Sequence, residues 1–179
     1  HLMAVFQAIR NLFVNAAVEE AQEVVPAPPT TYSVTPLTRR NLKEVLKLNS
    51  RCFRNGENYT KHTFSYLLND PKTLCYRVVT ADGEMAAFVF VMMNPDGAGH
   101  ITTIGVAPEH RRRGLAKMLL SFLENILPQK GVSTIVLEVR VGNIAAQQLY
   151  LDAGFTCVQR VSKYYTDGED GYLMMRSLT

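Results

Sequence analysis

Residues 104–116 read IGVAPEHRRRGLA, which combines an apolar strand, a turn and the start of a helix. The first turn of a helix has backbone N–H groups without partners, and its dipole favours an anion, so a diphosphate would bind well there. Gly114 and Ala116 are small enough for a phosphate to approach the backbone. Charge-assisted hydrogen bonds would come from the neighbouring arginines, Arg111, Arg112 and Arg113. The stretch therefore predicts a phosphate-binding turn.

Three arginines at the start of a helix are also typical of a solvated surface patch. Their charge opposes the helix dipole, and a bound anion would relieve that repulsion. The chain has neither the GxxxxGK[ST] motif of nucleoside triphosphate sites nor the GxGxxG motif of dinucleotide sites. ATP and dinucleotide ligands therefore lose their best support, and from the residues alone both a phosphate site and a surface patch stay open.

The sequence on both sides of this turn alternates between strand and helix patterns. Turn residues at 82–83 and 94–97 favour antiparallel hairpins, whereas the helix between strands 100–106 and 134–141 requires a parallel crossover. The predicted strands are 32–36, 74–80, 85–93, 100–106, 134–141, 155–161 and 172–176, and the predicted helices are 39–53, 61–68, 115–127 and 145–152. We therefore expect an α/β (α+β) domain whose mixed, mostly antiparallel sheet has a parallel pair in its centre and helices on its flanks.

The first 31 residues form a separate segment in this interpretation. Residues 1–2 resemble the remnant of an affinity tag, and apolar residues at spacings of three and four predict an amphipathic helix over residues 4–22. Prolines in residues 26–31 favour an extended linker, so we place the start of the domain (32–179) at residue 32. Since the helix is not basic, we expect it to pack on its own domain or to join two copies in a homodimer.

Composition argues against several other classes of protein. A length of 179 residues favours one main domain, and a formal net charge of +3 is far from that of strongly basic nucleic-acid-binding proteins. The three cysteines are widely separated, and His62, His100 and His110 have no second ligand at helical or strand spacing, so we expect neither a disulfide framework nor a metal site. No stretch approaches the roughly 20 apolar residues of a membrane-spanning helix. We expect a soluble, cytoplasmic protein that binds neither nucleic acid nor membranes.

A second motif follows the phosphate-binding turn, where residues 137–155 read LEVRVGNIAAQQLYLDAGF. Together with the Arg-x-x-Gly-x-Ala pattern of residues 111–116, it resembles the GNAT superfamily of N-acetyltransferases. The motif is most similar to the bacterial ribosomal-protein-alanine acetyltransferase (RimI-like) subgroup of that superfamily. The superfamily comparison can cover residues 33–178, and the specific matches lie within 100–166. The resemblance implies a GNAT-like fold in which the central parallel strands splay apart.

The resemblance also implies acetyl-CoA as the co-substrate. The turn would bind its diphosphate, and the preceding strand would bind its pantetheine arm, because splayed strands leave backbone N–H and C=O groups unpaired. Asn143 is in addition a favourable N-cap for the helix that follows it. The residues assigned to acetyl-CoA are Ile104, Gly105, Val106, Arg111, Arg112, Arg113, Gly114, Leu115, Ala116 and Asn143.

Acetyl transfer to an amine requires a base for the amine and an acid for the departing thiolate. By the resemblance, Glu138 is the base, acting through water, and Tyr150 donates a proton to the sulfur. From the residues alone, Glu138 could instead be a carboxylate paired with Arg140 on the same face of its strand. Tyr150 could be a core aromatic residue, and that role is compatible with catalysis.

We expect the acceptor to be the N-terminal α-amine of a protein or peptide. Because an α-amine has a pKa of about 8 and lysine about 10.4, forming the neutral amine near pH 7.5 costs roughly 0.5–1 and about 4 kcal/mol respectively. The resemblance places Tyr59, Tyr164 and Tyr165 at the acceptor groove. Tyr164 and Tyr165 could alternatively be a cross-strand pair of a hairpin.

Two stretches depart from the subgroup at the acceptor groove. Residues 52–60 read CFRNGENYT in place of a shorter Phe-Pro-Trp-[Ser/Thr] pattern, and Thr166 replaces the proline that normally follows the tyrosine pair. The ribosomal-protein acceptor therefore does not carry over from the resemblance. A lysine or small-molecule amine acetyltransferase and a catalytically silent acyl-CoA-binding module stay open as alternatives.

Overall fold

The computed structural model describes residues 16–17, 23–53, 55–56 and 59–179. The strands of its main sheet are β1 (Tyr32–Pro36), β2 (Thr73–Thr80), β3 (Met85–Met93), β4 (Ala98–Val106), β5 (Thr134–Arg140), β6 (Thr156–Val161) and β7 (Gly171–Ser177). The α-helices are α1 (Leu42–Cys52), α2 (Lys61–Asn69), α3 (Leu115–Ile126) and α4 (Ile144–Asp152). Short 3-10 turns occur at Arg39–Asn41, Pro108–His110 and Pro128–Lys130. Every strand and helix predicted for residues 32–179 is present, and each end lies within three residues of its predicted position.

The main sheet has the strand order β1-β2-β3-β4-β5-β7-β6. β4 and β5 run parallel, whereas each of the other neighbouring pairs is antiparallel. The prediction of a mixed, mostly antiparallel sheet with a parallel pair in its centre is confirmed.

The parallel pair separates soon after it forms. β4 and β5 are paired only from Ala98↔Thr134 to His100↔Val136. Beyond that point β4 stays paired with β3 up to Val106, and β5 stays paired with β7 along its whole length. The two strands therefore diverge towards their C-terminal ends, and one edge of each faces the gap between them without a strand partner.

Helices cover both faces of the sheet and give the domain two hydrophobic cores. Side chains from α3 and α4 pack on one face, with Leu119, Leu123 and Tyr150 among the buried residues. Side chains from α1 and α2 pack on the other face, where Val45 and Phe64 are fully buried. Each large apolar side chain buried in this way contributes about 1.5–3 kcal/mol to the stability of the fold. Packing on both faces therefore holds the sheet around the gap between β4 and β5.

Residues 23–31, which we call the N-terminal strap, run along the turn that precedes α3. The N–H of Ala27 donates to the carbonyl of Glu109 (2.9 Å), and Arg113 donates to the carbonyls of Ala27 and Pro28. Thr30 accepts a hydrogen bond from the N–H of Ala81 (3.1 Å). The strap contains no helix or strand, as its prolines predict, but it is bound to the domain. The domain boundary at residue 32 stays a prediction.

The predicted helix over residues 4–22 is wrong at Ala16–Ala17. These two residues form a short strand that pairs antiparallel with Asn55–Gly56. The other residues up to 22, including those interpreted as a tag remnant, lie outside the described residues. Across the part of the chain that the structure describes, none of the helices combines the length and apolar character needed to cross a membrane.

Candidate active site

The turn before α3 contains left-handed backbone at two positions. Arg112 has a φ of 61° and Gly114 a φ of 77°, and α3 begins at the next residue. Turns of this kind direct successive N–H groups towards one point and so favour anions. A Cβ at Gly114 would meet no other atom within 4 Å, so the backbone angle, rather than crowding, favours glycine. The turn therefore offers backbone donors suited to a phosphate.

The arginines of this turn have different surroundings. The guanidinium of Arg113 donates to Tyr32 Oη (2.8 Å) as well as to the two carbonyls of the strap. Arg111 Nε donates to the carbonyl of Val106 (3.2 Å), which also accepts from the Cys52 thiol (3.3 Å). Burial raises the pKa of Cys52 to about 11 although Arg111 lies close to it, so the thiol is neutral near pH 7. Arg113 thus fixes the strap to the turn, a role that the sequence did not predict.

Three side chains of the kinds that bind metal ions lie together beside the turn, although the sequence predicted no metal site. Ligand atoms of Glu84, Glu109 and His110 all lie within 4.8 Å of one another. Burial raises the pKa of Glu109, but the hydrogen bond and charge of Arg51, a backbone hydrogen bond and the charge of His110 together hold it below its ordinary value. His110 Nδ1 is hydrogen-bonded to Tyr32 Oη (2.8 Å). Because Glu109 and His110 already have charged or polar partners, we assign no ion to this group, and the absence of a metal stays a prediction.

The end of β4 presents its backbone to the gap between β4 and β5. Ile104, Gly105 and Val106 are paired on one side with β3, and they have no strand partner on the side of β5. A Cβ at Gly105 would lie 2.7 Å from the Phe88 ring. Packing of the sheet therefore accounts for this glycine, and the edge of β4 that faces the gap has no strand partner along these three residues.

Glu138 lies on β5 just beyond the point where the parallel strands separate. Its Oε2 is 2.6 Å from Nε2 of His100, which is the last residue of β4 in register with β5. The side chains of His100 and Glu138 are only 2% and 10% exposed. Oε1 of Glu138 is buried and has no hydrogen-bond partner within the described residues. The structure thus places a carboxylate at the gap with one oxygen bound to His100, a residue to which the sequence gave no role.

Arg140 has partners other than Glu138. Its Nη1 donates to Asp167 (2.7 Å) and Glu169 (2.8 Å) in the connection between β6 and β7. Its guanidinium carbon also lies 4.2 Å from the centre of the Tyr165 ring. The alternative in which Glu138 is a structural partner of Arg140 is therefore wrong.

Three tyrosines approach the same region from two loops. Tyr59 donates a hydrogen bond to the carbonyl of Thr102 (2.7 Å). Burial, together with the charges of Glu138 and Tyr164, raises the pKa of Tyr59 well above its usual value. The rings of Tyr164 and Tyr165 lie 4.9 Å apart in the connection between β6 and β7, so they are not a cross-strand pair. Tyr59 therefore lies near the Glu138 carboxylate, and Tyr164 lies near Tyr59.

α4 positions Asn143 and Tyr150. Asn143 Oδ1 accepts a hydrogen bond from the N–H of Ala146 (3.1 Å), which confirms the predicted N-cap. Tyr150 is 7% exposed and packs its ring against Phe155 at a centroid distance of 5.8 Å. Burial raises the pKa of Tyr150 to about 12, so its hydroxyl keeps its proton near neutral pH. Tyr150 is thus a core aromatic residue that also carries a proton to donate.

Sequence comparisons relate the chain to acetyltransferases. The family model described as Acetyltransferase (GNAT) family matches residues 42–155. An N-alpha-acetyltransferase of Caenorhabditis elegans is 36% identical over 129 residues, which are 68% of this chain and 70% of the relative. The ribosomal protein bS18-alanine N-acetyltransferase of Escherichia coli is 38% identical over 99 residues, which are 54% of this chain and 66% of the relative. The chain thus spans about two thirds of the length of these relatives.

Solved structures give the same relationship. The crystal structure of the Escherichia coli ribosomal-protein-S18-alanine N-acetyltransferase superposes with a TM-score of 0.75 at 30% identity, over 83% of this chain and 95% of that one. A chain of the NatC complex, solved with Gag peptide and CoA, superposes with a TM-score of 0.73 at 25% identity, over 83% of this chain and 99% of that one.

Proposed function

Because the chain belongs to the GNAT acetyltransferase family, we propose that it transfers the acetyl group of acetyl-CoA to the N-terminal α-amine of a protein or peptide. The observation that carries this proposal is the Glu138 carboxylate, held by His100 where β4 and β5 diverge. The names of the two curated relatives, an N-alpha-acetyltransferase and an alanine N-acetyltransferase, support an α-amine as the acceptor. A cytoplasmic location and a homodimer through the N-terminal segment stay predictions.

The residues present fit acetyl-CoA, which supplies an activated acetyl group as a thioester. The left-handed turn at Arg112 and Gly114 offers N–H groups to the diphosphate, together with the charge of Arg111 and Arg112. Arg113 contributes through its backbone and by holding the strap, because two strap carbonyls and the Tyr32 hydroxyl already accept hydrogen bonds from its guanidinium. The pantetheine arm would bind the edge of β4 that lacks a strand partner.

The described side chains can carry the protons that the reaction moves. Glu138 accepts a proton from the α-ammonium group through a water molecule, which frees the nitrogen lone pair to attack the carbonyl carbon. A backbone N–H at the end of β4 polarises the carbonyl oxygen as the C–N bond forms. Tyr150 gives its hydroxyl proton to the sulfur as the C–S bond breaks, and the second proton, which the nitrogen loses as the amide forms, returns to the Tyr150 oxygen. Tyr59, Tyr164 and Tyr165 line the groove through which the acceptor enters.

A peptide assay tests this function. Peptides with free and with chemically blocked N-termini, each with one internal lysine, are incubated with acetyl-CoA and the full chain. We expect one acetyl group on the free α-amine only, located by fragmentation in a mass spectrometer. Acetylation of the lysine alone, or of polyamines but no peptide, would favour the alternative acceptors. Tight CoA binding without acetylation of any amine would favour an acyl-CoA-binding module.

Tyr150→Phe tests the proton donor. The phenylalanine ring keeps the packing against Phe155 but cannot donate a proton to the sulfur. We expect kcat to fall by about 100-fold, while the affinity for CoA in calorimetry changes little. The wild-type profile should show no loss of activity from ionisation of Tyr150 below about pH 11, since its pKa of about 12 keeps the phenol protonated. Tyr172→Phe on β7 is the matched control, and an equal loss of kcat there would remove the specific role of Tyr150.

A further inference from the structure

We propose that His100 is a positioning residue for Glu138: it holds Oε2 of the carboxylate and leaves Oε1 to take the proton of the acceptor amine. This inference rests on the proposed function, because it assumes that Glu138 is the base. It adds a residue of β4 to a site whose predicted base lies on β5 and whose predicted acid lies on α4.

The backbone brings the two side chains together. His100 is paired with Val136 at the last position where β4 and β5 are in register, and Glu138 follows Val136 by two residues on the same face of β5. The strands separate directly after this pair, so Glu138 is at the closed end of the gap. The 2.6 Å contact between His100 Nε2 and Glu138 Oε2 therefore spans the parallel strands where they begin to diverge.

Burial gives this hydrogen bond its importance. A carboxylate that is withdrawn from water loses its solvation, and it stays ionised only if a hydrogen bond or an opposite charge compensates. His100 supplies an N–H donor to Oε2 when its imidazole is protonated, and also when it is neutral with the proton on Nε2. Oε1 has no other partner within the described residues, so the free oxygen is the one that can accept a proton.

The other charged and titratable groups near Glu138 do not supply this compensation. Arg140, on the same strand, directs its Nη1 to Asp167 and Glu169. Tyr59 lies near both Glu138 and Tyr164, and its raised pKa keeps its phenol neutral at ordinary pH. Among the described side chains, His100 is therefore the one that is hydrogen-bonded to the Glu138 carboxylate.

Two substitutions of His100 test the inference through the pH dependence of kcat, measured with saturating acetyl-CoA and peptide. His100→Phe removes the donor, so the buried carboxyl should hold its proton to higher pH. We expect kcat near pH 7 to fall at least tenfold, the acidic limb to move up by roughly one pH unit or more, and most of kcat to return at high pH. His100→Gln keeps an N–H donor and should restore the wild-type profile in part.

Val136→Ala is the control for loosened packing, since it shortens the buried residue that is paired with His100. A purely structural change lowers kcat by a similar factor at every pH. The inference is overturned if the His100→Phe profile runs parallel to the wild-type profile, as the Val136→Ala profile should. Circular dichroism and CoA affinity establish that each variant is folded, and His100→Gln carries the test if the phenylalanine variant is not.

The double variant His100→Phe/Glu138→Gln separates this inference from the proposed function. If His100 acts through Glu138, the double variant should be no more than about threefold slower than Glu138→Gln alone, because the two residues form one unit. A further loss as large as that of His100→Phe alone would show that His100 acts independently. Full activity of Glu138→Gln would refute the proposed base itself, whatever the His100 variants do.

Discussion

Glu138→Gln is expected to lower kcat by about 100- to 1000-fold while leaving the affinity for CoA within about twofold of the wild type. Glutamine keeps the shape of the side chain and can still accept the hydrogen bond from His100. It cannot take a proton from the acceptor amine at any pH of the assay. Steady-state rates of peptide acetylation and calorimetric titration with CoA measure the two quantities.

The effect should follow the ionisation of the amine. With an acceptor peptide whose α-ammonium group is mostly deprotonated above pH 9, the substrate no longer needs a base before attack. The ratio of wild-type to variant kcat should therefore shrink as pH rises. A ratio that stays constant up to pH 10 would indicate that Glu138 orients the acceptor rather than removing its proton.

Glu44→Gln is the matched control for this result. Glu44 is an exposed carboxylate on α1 whose ion pair with Arg77 spans 3.5 Å, so its loss removes a charge without touching the gap between β4 and β5. Exposed pairs contribute little to stability, and we expect kcat within twofold of the wild type. If both variants lose activity equally, the general change in charge rather than the position of Glu138 is responsible.

The fold could be predicted because its elements are defined by short-range patterns. Alternating apolar residues, turn residues at 82–83 and 94–97, and the helix between β4 and β5 determine the strands, the hairpins and the parallel crossover. The divergence of β4 and β5 came instead from the family resemblance. Its extent, only three paired residues on each strand, is visible only in the structure.

The partners of the candidate site residues were harder to predict than the residues themselves. Glu138 stands out in an apolar strand, but its contact with His100 depends on the register of two strands that are 38 positions apart in the chain. A parallel register is not encoded by any local turn, unlike that of a hairpin. His100 therefore looked isolated in the sequence, although its position near the start of β4 is where the predicted parallel pair begins.

For Arg113, the sequence predicted a partner different from the one in the structure. Its place among three arginines at a helix start predicts an anion ligand, and the N-terminal strap was expected to be a linker. In the structure, carbonyls of that strap and Tyr32 Oη accept its hydrogen bonds. Long-range contacts of this kind leave no periodic signal, so residue type alone could not separate Arg113 from Arg111 and Arg112.

Gly114→Glu should weaken CoA binding by at least 100-fold. The new carboxylate would project from the position where the turn directs its N–H groups, and it would repel the diphosphate and compete for the same donors. For the wild type, CoA at about 100 times its Kd should add about 2.7 kcal/mol to the free energy of unfolding, which raises Tm by roughly 5–10 °C. The glutamate variant should show almost none of this increase.

Gly114→Gln separates charge from backbone strain. Both side chains have the same size, and both must adopt a φ of 77°, which costs about 1–2 kcal/mol in stability for a residue with a Cβ. The two unliganded variants should therefore melt at similar temperatures below the wild type, whereas only the glutamine variant should keep a clear increase with CoA. If the glutamine variant loses the response to CoA as fully as the glutamate variant, the turn requires glycine for its conformation, and repulsion of the diphosphate is not the reason for the loss. If the glutamate variant keeps the full response, the diphosphate does not bind at this turn, because a like charge at the first residue before α3 must oppose a bound phosphate.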